Sequence, residues 1–382
     1  MPNVTRACAV GLLLLTAFYE AAAQPTPPVK VSGYLLSLLT RSTTLFPDEE
    51  RFVLDLNRLR FKLDWKPLDA VTVDVQYDNE VFLGSYLQTR QFALVRDRVP
   101  DTTFDLERDY AAGRSVIARH RLYRATVAWS GRELDLVVGR QRIAWGTGRF
   151  WSPLDILSPF DAARIEREER LGVDALLAER KLGALGKINA VFAPATQRSR
   201  AAAAGYVHGN AGGMDYSFVV GRFRDERVIG GDFAGRAGGL GIRGEATATR
   251  PDSGRSFARV LLGADYGFAN TLTLSAELYY NGQGARERAY YDFAALFEGR
   301  VRSLARRYGA AAATYEITPL FKGFAYGILN VDDGSRLLWP GIEYSLSSNV
   351  AVTGGVQWFA GGGDSEYGQV HDLLHIQAKL FF

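Results

Sequence analysis

The side chains that could do acid–base or metal chemistry in this chain are few and poorly placed for it. The histidines are His120, His208, His371 and His375, and only the last two have the spacing of a metal-binding pair. On a strand, residues four apart lie on one face about 13 Å from each other, which is too far for one zinc ion. The sequence therefore predicts no metal site and no cofactor.

Other motifs typical of enzymes are also weak. Gly239, Gly241 and Gly244 match a GxGxxG pattern, but they lie in an alternating segment and not between a strand and a helix, so we interpret them as part of a glycine-rich strand. No local Ser/His or Asp/His pattern marks a membrane-embedded lipase or protease. We predict that the protein is not an enzyme, and a hydrolase is the weaker alternative.

Charged side chains that alternate with apolar ones are the remaining candidates for chemistry. Fixed charges along a water-filled passage attract one class of solute and repel another. The candidate lining residues are Arg58, Arg60, Lys62, Arg124, Arg140, Arg142, Arg149, Asp155, Asp265, Glu277, Glu316 and Glu343. The basic ones come early and most acidic ones late, so opposite walls are expected to carry opposite charge, a field that favours dipolar or zwitterionic solutes. The alternative is that these are ordinary solvated or paired residues.

The elements that must position these charges are strands. Apolar and polar residues alternate with a period of two over 58–65, 71–77, 272–280 and 350–358. This period predicts strands with one apolar and one wet face. Aromatic residues recur near the predicted strand ends, where rings meet lipid headgroups in membrane barrels: Trp65, Trp129, Tyr266, Phe268 and Trp358.

Short turns and longer loops alternate along the chain, which predicts one closed antiparallel sheet. Eight short turns and nine loops give an all-β transmembrane barrel of about eighteen strands, with sixteen as the alternative count. The longest loops are expected at 78–118, 144–172 and 282–305. A soluble secreted sandwich or propeller is the competing fold, but neither predicts this regular alternation.

Both ends of the chain favour the barrel. Arg6, the apolar run 9–18 and Ala21–Ala23 have the pattern of a secretory signal peptide over 1–23, which leaves 24–382 as one barrel domain. A lipoprotein is disfavoured because Cys8 precedes the apolar run, and its loss with the signal excludes disulfides and thiolate sites. The final strand, ending at Phe382, resembles the carboxy-terminal signal read by the assembly machinery of Gram-negative outer-membrane barrels.

Hydropathy and charge narrow the class further. No run beyond the signal approaches the ~18 apolar residues of a transmembrane helix, and aromatic and glycine residues are abundant, with 40 Gly, 22 Phe and 18 Tyr. A net charge of +3 gives no reason to expect a nucleic-acid partner. We expect outer-membrane lipid and lipopolysaccharide as surroundings.

Residues 139–161 form the densest motif. A predicted strand over 133–143 runs into a loop that is rich in aromatic residues and stiffened by Pro153 and Pro159. One interpretation is a constriction loop folded into the lumen, where its charges set pore width and selectivity. The other is a loop that caps the rim, with solvated charges or charges bridged to lipopolysaccharide.

This motif also carries a family resemblance. Gly139, Arg140 and Gln141 at the strand end, then Trp145, Gly146, Pro153 and Asp155, resemble the alginate-export-type and related porin-like barrels of Gram-negative bacteria. The resemblance covers some two dozen residues strongly. It implies an outer-membrane channel of about eighteen strands, and it slightly favours a monomer.

The sequence thus predicts a passive channel for small hydrophilic solutes, whether charged solutes or saccharides, working by diffusion or export. A barrel that sheaths an electron-transfer partner is the alternative, and that partner would need its own haem because this chain has no Cys-x-x-Cys-His motif. Solute identity stays open.

Overall fold

The structure, a computed structural model, describes residues 29–45, 49–96, 102–161, 163–166, 169–170, 172–195, 201–297 and 301–382. The predicted signal peptide lies outside the described residues. Nearly all the regular structure is antiparallel sheet, in nineteen strands. Their bounds are β1 Val29–Thr43, β2 Arg51–Leu68, β3 Val71–Leu83, β4 Glu107–Ala112, β5 Val116–Ser130, β6 Leu134–Gln141, β7 Val173–Leu182, β8 Gly186–Ala193, β9 Ala202–Ala211, β10 Met214–Phe223, β11 Glu226–Ala237, β12 Leu240–Pro251, β13 Phe257–Gly267, β14 Thr273–Asn281, β15 Arg307–Thr318, β16 Phe321–Asn330, β17 Arg336–Ser347, β18 Val350–Ala360 and β19 Leu373–Phe381.

Eighteen of these strands close into one barrel. Each pairs with its neighbours in chain order, except that β3 pairs directly with β5, and β19 pairs with β1 to complete the circle. At this seam Tyr34 lies opposite Phe381, and Gly33 and Phe382 exchange backbone hydrogen bonds of 2.9 and 3.1 Å. Closure leaves no barrel strand with an unpaired edge, which is what a sheet surrounded by lipid requires. The predicted count of eighteen is confirmed.

The segment 78–118 is the main departure from the predicted strand pattern. We expected one long loop, but β3 continues to Leu83 and β5 begins at Val116. Between them lie the helix α1, Arg90–Arg96, and the short strand β4, which pairs with the part of β5 that extends beyond β6. Charged residues such as Asp78 and Glu80 are therefore strand residues, and both are buried.

The two ends of the barrel differ in their connections. One end carries tight turns. In the turn after β9, Gly212 and Gly213 both have positive φ (61° and 78°), which two-residue hairpin turns require because their twist must match that of the strands. The other end carries the long loops, including the short helix α2, Phe293–Phe297. Both the start of β1 and the end of β19 lie at the short-turn end. None of the described helices is long and apolar enough to cross a membrane.

The barrel is apolar outside and polar inside, as the alternation predicted. Leu278 and Phe218 are 68% and 66% exposed on the exterior, whereas Glu277 and Ser217, each one residue away, are 1% and 2% exposed. The predicted end-of-strand aromatic residues are all on the exterior, 39–48% exposed: Trp65, Trp129, Tyr266, Phe268 and Trp358. Buried apolar clusters lie within the barrel, where loop residues such as Phe150 and Leu154 pack against inward side chains.

Candidate functional site

The segment 142–172 between β6 and β7, here named the lumen loop, folds into the barrel. Two carboxylates on the far wall hold its first half. Glu245 on β12 accepts hydrogen bonds from the backbone N–H groups of Thr147, Gly148 and Leu154, at 2.5, 2.6 and 3.1 Å. Hydrogen bonds to a charged acceptor are stronger than neutral ones. The interpretation as a loop inside the lumen, and not a cap on the rim, is therefore the one that the structure favours.

A second carboxylate continues this attachment. Glu277 on β14 accepts from the backbone N–H groups of Arg149 and Phe150, at 2.7 and 2.8 Å. Arg243 on β12 donates through Nε to the same Glu277 at 3.0 Å. The carboxylate charge is thus shared between the loop backbone and one wall cation.

The second half of the lumen loop attaches to the opposite wall by ion pairs of the reverse polarity. Glu166 accepts from Arg58 on β2, at 2.7 and 3.1 Å, and Glu169 accepts from Arg60 at 2.7 Å. Tyr34 on β1 donates its hydroxyl to Glu169 at 2.9 Å. Burial alone would raise the pKa of Glu169, but the Arg60 and Arg58 guanidiniums outweigh it and lower that pKa to about 2.

Ring stacking and one internal ion pair complete the attachment. Trp145 lies parallel to Tyr206 on β9, with ring centroids 4.9 Å apart and an interplanar angle of 3°. Asp155 accepts from Arg170 at 2.5 Å, which joins the two halves of the loop. Burial raises the pKa of Asp155 to about 7 against the opposing effect of Arg170. The loop therefore touches strands on every side of the barrel.

Most predicted lining charges turn out to be neutralised in pairs. Arg58 and Arg60 also contact Glu80 and Asp78, and Arg140 contacts Asp174 at 2.8 Å. Arg124 donates to the Arg170 carbonyl at 2.7 Å. The buried cations that have a carboxylate partner are Arg58, Arg60, Arg140 and Arg243, whereas buried Arg124 hydrogen-bonds to a carbonyl oxygen.

The predicted acidic wall is neutralised in the same way. Asp265 and Glu277 share Arg243, and Arg149 lies 3.3 Å from Asp265. Glu316 pairs with Lys322 at 3.4 Å near the short-turn end. Of the two interpretations, segregated walls or paired lumen residues, the ion pairs favour the second, because each wall carries counter-charges of its own.

The remaining predicted positions stay open to the lumen. Lys62 and Glu343 are half-buried, and Arg142 is exposed at the start of the lumen loop. The residues that sequence reasoning missed are mainly the counter-ions. Asp78 and Glu80 were not found because they lie inside the predicted 78–118 loop. Arg243 and Glu245 were expected to face the lumen, but their role as anchors of the lumen loop was not foreseen.

The lumen loop divides the interior into cavities that share lining residues. At the loop end lie two cavities of about 170 and 210 Å³, here named the outer cavities, both lined by Phe160, Asp161, Arg224 and Arg302. At the short-turn end lies an inner cavity of about 650 Å³. Phe160, Glu166, Glu169 and Arg170 line both the second outer cavity and the inner one. Cavities of this size suit small solutes and leave no room for a folded protein beside the loop.

The histidines show no metal-binding geometry. Trp339 Nε1 donates to His375 Nε2 at 3.0 Å, and His371 lies 3.8 Å from Glu49. Within the part of the chain that the structure describes, no group of three or more His, Cys, Asp or Glu side chains could hold a metal ion. The three glycines of the GxGxxG match lie at or in β12.

Comparison with known proteins identifies the fold. No protein-family model matches the chain, and no curated protein matches it. Solved structures do match. Pseudomonas aeruginosa OpdK, crystallised with vanillate, is 12% identical over 93% of this chain and 98% of its own, with a TM-score of 0.59.

Two further structures give the same picture. Acinetobacter baumannii OccAB1 is 8% identical over 93% of this chain and 96% of its own, with a TM-score of 0.62. The outer membrane protein OprD from P. aeruginosa is 10% identical over 94% of both chains, with a TM-score of 0.59. At such identities the likeness establishes a barrel of this type, and it does not support the resemblance to alginate-export-type barrels.

Proposed function

We propose that this protein is an outer-membrane channel for the passive diffusion of small anionic hydrophilic solutes. The observation that carries the proposal is the lumen loop, which narrows the barrel by closing on Glu245, Glu277, Arg58 and Arg60. The loop leaves cavities on both of its sides with lining residues in common. A narrowing built from side chains that bond to each other is rigid enough to discriminate between solutes by size and charge.

The charges of the outer cavities support the preference for anions. Arg164, Arg224 and Arg302 face these cavities, and the acids Glu166 and Glu169 nearby already accept from Arg58 and Arg60. Asp155 is likewise bound to Arg170. Among the described lining residues, these three arginines outnumber the two remaining acids, Asp161 and Glu226. A guanidinium binds a carboxylate or phosphate through paired hydrogen bonds.

The backbone at Arg224 adds to this argument. Arg224 has φ 56°, in the left-handed region that side chains other than glycine, asparagine and aspartate seldom adopt. It occupies the tight connection between β10 and β11 at the loop end of the barrel. Phe223 pairs with Glu226, so the two-residue hairpin turn itself requires this conformation, and the turn places Arg224 at the outer cavities.

The outer surface supports the membrane location. Leucine, valine and aromatic side chains cover the exterior of the barrel at 37–68% exposure, with exposed aromatic rings near both ends. The matching proteins include one described as an outer membrane protein, and one crystallised with vanillate, a small carboxylate. Lipid and lipopolysaccharide would surround the barrel. We further propose that β19, ending at Phe382, is the strand read by the assembly machinery, and that the protein works as a monomer.

Ion selectivity tests the proposed function. The purified protein would be placed in planar bilayers under a KCl gradient, and the reversal potential measured. We expect anion selectivity, and we expect the double variant R224A/R302A to shift it towards cations. R255A is the matched control, since Arg255 is exposed in the loop after β12 and does not line these cavities. The proposal would be contradicted if the protein showed no conductance, or if R224A/R302A had the same ion selectivity as the wild type.

A further inference from the structure

The wall of the inner cavity carries three adjacent aromatic rings. Phe324 and Tyr326 on β16 have centroids 5.3 Å apart, and Trp339 on β17 lies 5.5 Å from Tyr326 and 6.0 Å from Phe324. All three line the cavity. We name them the aromatic floor.

Two glycines leave the space that the Phe324 and Trp339 rings occupy. A Cβ on Gly341 would lie 2.1 Å from Phe324 Cζ, so the phenyl ring covers the position where a side chain would project. A Cβ on Gly355 would lie 2.8 Å from His375 Nε2 and 2.9 Å from Trp339 Nε1. Gly341 pairs with both Phe324 and Gly355, and Gly355 pairs with His375. The Phe324 and Trp339 rings are nearly perpendicular, at 85°, and Tyr326 is tilted by 44° and 52° from them, so the three rings form an angled apolar surface.

A row of polar side chains borders the aromatic floor. Glu343 on β17 lies opposite Thr353 on β18, and Thr353 lies opposite Gln377 on β19. All three are half-buried and line the cavity. None of them makes a hydrogen bond or ion pair with another residue in the described ranges. Directly opposed residues on adjacent strands have Cβ atoms about 5 Å apart, so this polar row spans about 10 Å.

His375 adds a buried donor next to this row. The ring is 1% exposed, and its Nε2 accepts from Trp339, so the proton of the neutral ring lies on Nδ1. That Nδ1 has no hydrogen-bond partner within the described structure. A buried donor without an acceptor costs of order 1–3 kcal/mol, so an acceptor oxygen from water or from a solute would stabilise it.

We infer that the inner cavity is a binding subsite for a single saccharide ring. One face of a sugar ring is a patch of C–H groups, which packs on the half-buried rings of the aromatic floor, Phe324 and Tyr326. Its edge is a series of hydroxyl groups, which pair with Glu343, Thr353 and Gln377. A flat aromatic solute would contact the floor equally well but would leave the polar row without partners. A cavity of about 650 Å³ is in the usual range for small-ligand sites.

The inference deepens the proposed function and rests on it for the route of entry. The arginines of the outer cavities attract anionic groups, whereas the inner cavity recognises a hydroxylated ring. Glu343 and Lys379 both line the inner cavity, so its wall carries charges of both signs and does not select a carboxylate by charge alone. The selective step for the ring is therefore at the short-turn side of the lumen loop.

Solute block of the ion current is the first test. Glucose, benzoate or acetate is added to the protein in planar bilayers, and the block of the current is recorded for each solute. We expect glucose to block and acetate not to. Y326A is expected to weaken the glucose block about 3- to 10-fold through loss of ring contact, and Q377A about fivefold through loss of a hydrogen bond.

Matched variants and a second readout separate the possible failures. Y344A and I376A are the controls, because both side chains are on the exterior of the same wall, 42% and 51% exposed, while Y326F should retain the block. The second readout is the change in tryptophan fluorescence when glucose is added to the protein in detergent, which reports binding even if no current flows. Loss of conductance alone would therefore contradict the proposed channel but not the proposed subsite. The inference would be overturned if Y326A weakened the block by glucose and the block by benzoate equally while Q377A had no effect. It would also be overturned if neither readout detected glucose binding to the wild-type protein.

Discussion

Arg60 Nη1 lies 2.7 Å from Glu169 Oε2, and together with the Arg58–Glu166 pair this contact joins the barrel wall at β2 to the second half of the lumen loop. Arg60 also holds Asp78 of β3 through Nε at 2.5 Å, and its guanidinium lies 3.7 Å from the centre of the Tyr123 ring. It is 3% exposed. A single buried cation therefore positions a loop, a neighbouring strand and an aromatic ring together.

Replacing Arg60 should loosen the loop more than it changes the charge of the pore. R60A leaves Asp78 and Glu169 buried without their main partner, and breaking a buried pair in this way costs about 3–5 kcal/mol. We expect a lower unfolding temperature and noisier single-channel currents. The double variant R60A/E169A should recover part of the stability, because one uncompensated carboxylate is removed. A single variant as stable as the wild type would contradict this.

Glu245 is expected to hold the loop in its narrow position. E245A would remove the acceptor for the Thr147, Gly148 and Leu154 N–H groups, each worth about 1–3 kcal/mol if left unpaired. The loop should then move away from β12 and conductance should rise. T247A is the matched control, since Thr247 is 3% exposed two residues along the same face and its hydroxyl has no partner among described residues. Equal conductance in the two variants would show that Glu245 does not set the pore width.

A buried carboxyl between external loops should make the loop end of the barrel sensitive to pH. Glu366 accepts from Tyr308 at 2.6 Å, from Asn330 at 2.8 Å and from the Leu304 N–H at 3.1 Å, and its own N–H donates to Asp333 at 2.9 Å. Burial raises its pKa to about 7, with nearby Asp333 adding to the rise. It thereby connects the segments 282–306, 331–335 and 361–372.

The sign of the effect follows from the raised pKa. A carboxyl whose pKa is higher in the folded protein favours folding at low pH, and that contribution is lost as pH rises through about 7. We expect proteolysis of these loops to accelerate between about pH 5 and pH 7, from the ordinary pKa of a glutamate to its raised value, and we expect E366Q to remove most of that dependence. D155N is the comparison, because Asp155 has a similar pKa but lies in the lumen loop. An unchanged pH profile in E366Q would exclude this carboxyl as the cause.

Gly355 is expected to be intolerant of a side chain. In G355A the new Cβ would lie within 2.9 Å of His375 Nε2, Trp339 Nε1 and the Pro340 carbonyl oxygen. Overpacking of this kind costs about 1–3 kcal/mol. We expect a lower unfolding temperature and a shifted Trp339 emission. The control is G354A on the other face, where the nearest atom is 3.7 Å away; if it is as harmful as G355A, the close approach is not the reason.

Parts of the candidate site could be predicted from sequence and parts could not. The inward direction of Arg58, Arg60 and Glu277 follows from alternation alone, because a strand's period of two assigns every second side chain to one face. Their pairing could not be foreseen, since Glu166 and Glu169 reach Arg58 and Arg60 from more than a hundred positions away. The segment 78–118 was misjudged because the charges of Asp78 and Glu80 resemble those of a loop once their partners are unknown.

By itself the sequence determined a closed barrel of about eighteen strands, its inward and outward faces, and the unusual loop after β6, because these depend on local period and composition. Only the tertiary structure decided that this loop lies inside the lumen, that most lumen charges cancel in pairs, and that an aromatic floor faces a polar row. The physical reason is that ion pairs and ring packing depend on which strands become neighbours when the sheet closes. The alternation of residues within one hairpin carries little information about contacts across the barrel.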